Sequence, residues 1–220
     1  MSTLSFEPTS LTLVTEGQIP EIDADTIFCC GMFRSGSTVL YQAVSGIVEM
    51  RGVGRRNGYY EPHIDGHGGA SLLLDAFPAP GAVYKLPWLG DTEERLIRDG
   101  AHAFYSYRDL DESLDSLFAT FAIPSEYWSI WRKLAEGHRQ RMEAVTGRNL
   151  HRIPFRRIAE DLPGVVRRLA AWLPGDGDPV SLAADLSLEN QKHRTKKTRA
   201  RQLPMDSWTL LLPRHFREDT

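Results

Sequence analysis

Residues 26–48 read TIFCCGMFRSGSTVLYQAVSGIV, and this stretch decides the fold. Ile27, Phe28, Cys29 and Cys30 form an apolar run of strand length, and the two glycines of residues 31–36 predict a loop. Beyond it, Val39, Leu40, Ala43, Val44 and Ile47 recur at three- and four-residue spacing, which predicts a helix with one apolar face. Strand, glycine-bounded loop and helix N-terminus together make an anion site. Backbone N–H groups and the helix dipole favour negative charge at one spot, and Ser37 and Thr38 add hydroxyl donors.

Residues 31–38, GMFRSGST, have the spacing of the triphosphate loop G-x-x-x-x-G-K-[ST]. Ser37 stands where that loop carries the lysine that neutralises the β- and γ-phosphates. The fixed cation is Arg34, inside the loop, so the cradle suits an anion other than an ordinary triphosphate. The bland alternative is a strand–turn–helix whose glycines serve only the turn.

The chain has 220 residues, enough for one α/β domain with a sizeable core, and residues 1–220 are read as that single domain. Hydrophobic content of 41% with 25% charged residues predicts a soluble globular protein. A net charge of −3 argues against a general nucleic-acid binder. The two cysteines are neighbours in the first strand and point to opposite faces, so no disulfide scaffold is expected. No secretory h-region opens the chain and no apolar run reaches membrane-spanning length, so a cytoplasmic setting is the default.

Residues 1–25 are polar around Leu11, Leu13 and Val14 and read as a mobile arm or an edge strand. Residues 51–67 are rich in Gly, Arg and Tyr and read as a loop or short strand near the phosphate loop. Further strands are predicted over 82–86, 102–107 and 150–153. Helices are predicted over 70–77, 91–98, from an Asp111 cap to about 122, 125–145 and 162–173. Alternating strands and helices imply a three-layer α/β fold, with a parallel sheet of about five strands flanked by helices.

A second constellation begins with Arg108, at a strand's carboxyl end, and continues to Ser116 on the next helix. Ligands of open α/β sheets bind at the carboxyl ends of the strands. Arg108 therefore faces the loop's crevice, where a guanidinium offers a bidentate fork for phosphate and a serine adds a neutral donor. Pairing of Arg108 with Asp109 or Asp111 is the structural alternative.

Taken together these residues resemble the PAPS-dependent sulfotransferases, whose fold is P-loop-NTPase-like. Arg34-Ser35-Gly36-Ser37-Thr38 resembles the family's 5′-phosphosulfate loop. Tyr107-Arg108 with Ser116 eight residues on resembles its 3′-phosphate motif. Residues 151–162, HRIPFRRIAEDL, running into Trp172-Leu173, resemble its later strand, turn and helix. The bacterial and glycan-type branches are the nearer match. The resemblance implies sulfuryl transfer from PAPS to a hydroxyl or amine, with PAP as product and no metal required. It implies that Arg34 stabilises the leaving phosphate, Ser35, Gly36, Ser37 and Thr38 hold the 5′-phosphate, and Arg108 and Ser116 hold the 3′-phosphate.

In the animal cytosolic branch a strand-end histidine is the base; here residues 83–87, VYKLP, put Lys85 in its place. An ammonium is a poor base unless strongly desolvated, so Lys85 is read as a second cation on the transferring group. The other branches place a catalytic glutamate after the first helix, and Glu61, before Pro62, fits. His63 competes for the role because imidazole titrates near neutrality. Pairing of Glu61 with Arg55 or Arg56 is the bland alternative. Residues 192–201, KHRTKKTRAR, are the strongly basic run. The family's basic late loop makes 175–205 a cofactor lid, with Arg194, Lys196, Lys197, Arg199 and Arg201 as its candidate contacts. Tyr59, Tyr60, Trp88 and Trp128 are candidates for an acceptor pocket, and Trp131 and Trp172 are read as core. The acceptor class stays open among small molecules, glycans and lipids, as does the oligomeric state. The alternatives are a divergent P-loop kinase or nucleotide-binding enzyme, against which Ser37 speaks, and a non-catalytic PAP-binding protein of the same fold.

Overall fold

The computed structural model describes residues 12–14, 22–62, 71–73 and 81–186. In chain order its elements are β1 (Thr12–Val14), β2 (Ile27–Gly31), α1 (Ser37–Met50), β3 (Arg55–Tyr60), β4 (Ser71–Leu73), β5 (Ala82–Leu86), α2 (Asp91–Asp99) and β6 (His102–Tyr107). There follow α3 (Leu110–Phe121), a 3-10 turn at Ser125–Tyr127, α4 (Trp128–Ala144), β7 (Leu150–Pro154), α5 (Phe155–Glu160), α6 (Leu162–Trp172) and α7 (Val180–Asp185).

The sheet runs β1-β4-β3-β5-β2-β6-β7. The five strands from β3 to β7 are mutually parallel, while β4 and β1 extend the β3 edge by antiparallel pairing. This is the expected α/β architecture with two short strands added. Strand β2 is buried along its whole length because it lies inside the sheet with helices on both faces. Its residues alternate between two cores. Ile27 and Cys29 face the side of α1, α6 and α7; Phe28 and Cys30 face the side where Ile97 of α2 and Met142 of α4 pack.

Helix α1 is buried on more than the predicted face. Leu40, Val44 and Ile47 pack in the first core, while Gly46 meets Leu182 of α7, where an added Cβ would lie 2.7 Å from Leu182 Cδ1. The helix is sandwiched between the sheet and α6–α7, so polar positions of its outer face are covered too. From β2 the chain crosses through α1 to β3; from β5 it crosses through α2 to β6, on the other side of β2. The order therefore switches at the carboxyl end of β2, where a ligand crevice forms in open α/β sheets.

The helix predicted over 70–77 is instead strand β4 at Ser71–Leu73, where the ladder to β3 overrides the helical preference of a leucine run. Helix α3 is capped by Asp109 rather than Asp111: the Asp109 carboxylate accepts from the backbone N–H of Asp111 (3.0 Å) and Glu112 (3.1 Å). Within residues 1–25, Thr12–Val14 form the edge strand. The expected lid is described as far as residue 186, where Leu182, Ala183 and Leu186 pack into the α1 core.

Candidate functional site

The loop after β2 is shaped by close packing on β6. A Cβ on Gly31 would stand 2.2 Å from Ser106 Oγ and 2.8 Å from Ser35 Oγ, so glycine is required there. Ser35, expected among the phosphate donors, is fully buried and turns inward. Its hydroxyl donates to the Met32 carbonyl (2.6 Å) and lies 2.9 Å from Ser106 Oγ, satisfying polar groups that the turn buries. Its N–H also returns to the Met32 carbonyl (3.2 Å), so Ser35 shapes the loop.

Two loop residues adopt left-handed backbone, Arg34 (φ 58°) and Gly36 (φ 84°). For arginine this conformation is strained, and such strain gathers at functional sites. Gly36 is the N-cap of α1 and supplies no side-chain cap, and the helix's first turn holds no acidic residue. The opening N–H groups at Ser37 and Thr38 thus sit at the positive end of the dipole beside two half-buried hydroxyls.

Helix α3 is stapled to this loop at two points three residues apart. Ser113 donates to the Phe33 carbonyl, and Arg34 Nε donates to Ser116 Oγ (3.2 Å). The two constellations expected from sequence are therefore joined directly by Arg34 and Ser116. Arg108 lies over the Phe155 ring (4.7 Å to the centroid) and its Nε bonds Glu112 (3.0 Å), not Asp109 or Asp111. Phe155 also flanks Gly36, whose Cβ would lie 3.1 Å from the ring. Arg108, the start of α5 and the loop thus gather at one end of the sheet.

Across β2, Lys85 lies on the α1 face of β5, opposite Tyr59 of β3 in register. Its Nζ lies 5.6 Å from the Tyr59 ring centroid. Burial, and then the charge of Arg34, bring its pKa down to about 8. Two cations thus converge on the crevice. Glu61 is half-buried just past β3 and accepts a hydrogen bond from the Tyr59 hydroxyl. Arg56 is instead held by Glu49 of α1 through Nε (2.8 Å) and Nη2 (2.7 Å). It lies five residues from Glu61, about 16 Å along an extended strand. The bond to Glu49 is the ion pair that Arg56 makes across to α1.

Tyr60, a candidate for the acceptor side, points into the opposite core and donates to Glu93 (3.0 Å). Trp128 is exposed and stacks on Phe118 (4.7 Å), whereas Trp88 ties the ends of β5 and β3 together by donating to the Pro62 carbonyl (2.7 Å). Trp131 packs edge-on against Phe33, and Trp172 stacks on His151. His63, Arg194, Lys196, Lys197, Arg199 and Arg201 lie outside the described residues. Sequence reasoning missed Ser106, Ser113 and Phe155. Ser113 had a signal, since it precedes Ser116 by three residues on one helix face.

No family model and no curated protein matches the sequence. Solved structures do match the fold. Retinol dehydratase in complex with retinol and PAP superposes with a TM-score of 0.59 at 15% identity, over 83% of this chain and 71% of that one. The same enzyme with androsterone and inactive cofactor PAP gives 0.58 at 14% identity, over 83% and 70%. Mouse sulfotransferase SULT7A1 complexed with PAP gives 0.56 at 13%, over 79% and 67%. The chain has the sulfotransferase fold. Among the described residues no helix is long and apolar enough to cross a membrane.

Proposed function

We propose that the protein is a PAPS-dependent sulfotransferase acting on a hydroxyl or amine of a small-molecule, glycan or lipid acceptor. The observation that carries this reading is the convergence of Arg34 and Lys85 at the mouth of the loop, with Arg34 bonded to Ser116 on the helix that follows Arg108. This donor set fits a ligand with two separated anionic ends. The loop N–H groups, Ser37 and Thr38 hold the 5′-phosphate end, and Arg108 with Ser116 holds the 3′-phosphate. Ser35 supports the loop from within.

PAPS supplies a sulfuryl group whose bond to the 5′-phosphate oxygen breaks as the bond from sulfur to the acceptor oxygen or nitrogen forms. Glu61 takes the acceptor proton. Arg34 and Lys85 neutralise the charge that develops on the departing phosphate oxygen. That phosphosulfate bridge carries less charge than a triphosphate, which accords with Ser37 in place of the loop lysine.

Thermal-shift screening with PAP, ADP, AMP and ATP–Mg tests the reading. PAP at 100 times its Kd adds about 2.7 kcal/mol, which for a chain of this size is roughly 5–10 °C in Tm. Stabilisation by ATP–Mg in preference to PAP would overturn it. Glu61→Gln is expected to keep the PAP shift and lose transfer by at least about 100-fold in kcat, within the range of a general base.

A further inference from the structure

We propose that Tyr59 is the positioning residue of this site, its hydroxyl fixing Glu61 and its ring face fixing Lys85. The assignment rests on the sulfotransferase reading for its purpose and on the geometry of β3 for its existence.

The strand is irregular at one place. Arg56 pairs with Val83, and the next paired residue is Gly58, opposite Tyr84, so Asn57 is an extra residue in the ladder. Side chains three apart on a regular strand face opposite sides. Arg56 faces α1, where it meets Glu49, and without the bulge Tyr59 would face away. With it, Tyr59 stands opposite Lys85 and packs against the α1 core, and Glu61, two residues on, follows the same side. Bulges beside sites commonly re-aim a side chain in this way.

The bulge is held firmly. Asn57 is fully buried and its Nδ2 donates to Tyr84 Oη (2.5 Å). Gly58, at φ 114°, donates its N–H to Tyr41 Oη of α1 (3.0 Å). A side chain at Gly58 would be strained at that φ.

Tyr59 is suited to hold both neighbours. Burial, the charge of Glu61 and the hydrogen bond to it raise the phenol well above its usual range, so it stays a donor. That bond occupies Glu61 Oε1; among the described residues Oε2 takes no hydrogen bond, which leaves it for a substrate proton. The ring's electron-rich face attracts the Lys85 ammonium. Lys85 of β5 lies over the Tyr59 ring, and the charge of Arg34 from the loop acts on Lys85.

Two variants separate the two ends of the side chain. Tyr59→Phe keeps the ring and removes the donor; Tyr59→Leu removes both. The readouts are the carbon-13 chemical shift of the Glu61 carboxyl at one fixed pH, a carbon-13 titration of the Lys85 Cε, both assigned with Glu61→Gln and Lys85→Gln, and the thermal shift given by PAP. Tyr59→Phe is expected to move the Glu61 carboxyl resonance, because the carboxylate loses its phenol donor, and to leave Lys85 in place. Tyr59→Leu is expected to move both, lowering Lys85 further, while PAP still stabilises each variant. An unchanged Glu61 carboxyl resonance in Tyr59→Phe overturns the proposal, as does a Lys85 midpoint that moves equally in both variants. The expected spectra in a chain that PAP does not stabilise would overturn the cofactor reading and leave the positioning role standing.

Discussion

Lys85 shows how the fold sets the charge of a single residue in the candidate site. Its pKa of about 8, below the ordinary value of 10.5, comes first from burial and then from Arg34. Between these two values the unfolded chain binds the proton more strongly than the folded one, so stability rises with pH across that window. Below pH 8 the half-buried ammonium costs stability that a bound anion is expected to restore. Lys85→Met is accordingly expected to raise the Tm of the free protein and to weaken PAP. On the proposed function, PAP affinity is expected to fall as pH rises above about 8, approaching tenfold per unit while the bound form stays protonated. Calorimetric titration from pH 7 to 9.5 checks this, and an affinity flat with pH would contradict it. Sequence placed Lys85 at a strand end by its neighbours Leu86 and Pro87. It did not reveal the burial or the charge of Arg34, both of which come from other elements. The inward turn of Ser35 was hidden for the same reason, since its acceptors include Ser106, far along the chain.

Among the elements, the loop and α1 are the part most legible in sequence, because strand, glycines and helix lie within one short stretch. Gly36 holds this element in shape. Its φ of 84° is disfavoured for any other residue, and a Cβ would press on Phe155 (3.1 Å) and Ile158 (3.2 Å). Gly36→Ala is expected to cost at least about 1–2 kcal/mol, a fall of roughly 2–8 °C in Tm, and to abolish the PAP shift. A variant with native Tm and full PAP response would show that the loop geometry is dispensable. The elements that escaped the sequence are those defined by a partner. Strand β4 is three residues long and exists through its ladder to β3. The bulge at Asn57 is visible as a register break and has no local spelling beyond the glycine that follows it. Helix α3 was found, yet its cap moved to Asp109, because both aspartates satisfy the same local rule and the backbone selected one.

At the scale of the whole molecule, the sequence supplied the layers, and the structure supplied the order in which strands meet. The site stands where that order switches around β2, so residues far apart in the chain reach one crevice from β3, β5, β6 and α3. The same central strand carries Cys29 and Cys30, both fully buried, one in each core. Burial pushes the Cys29 thiol well above its usual range and Cys30 up to about 12, so neither reacts with a disulfide reagent until its own layer opens. The chain therefore contains two clocks. In Cys30→Ala, labelling of Cys29 times the opening of the layer that carries α1 and the loop; in Cys29→Ala, labelling of Cys30 times the layer of α2 and α4. PAP at 100 times its Kd is expected to slow the first clock about 100-fold when opening destroys the loop, and the second by less. Equal slowing of both would mean that the two layers open as one cooperative unit, and the comparison reads the coupling between the anion cradle and the far side of the sheet directly from reaction rates.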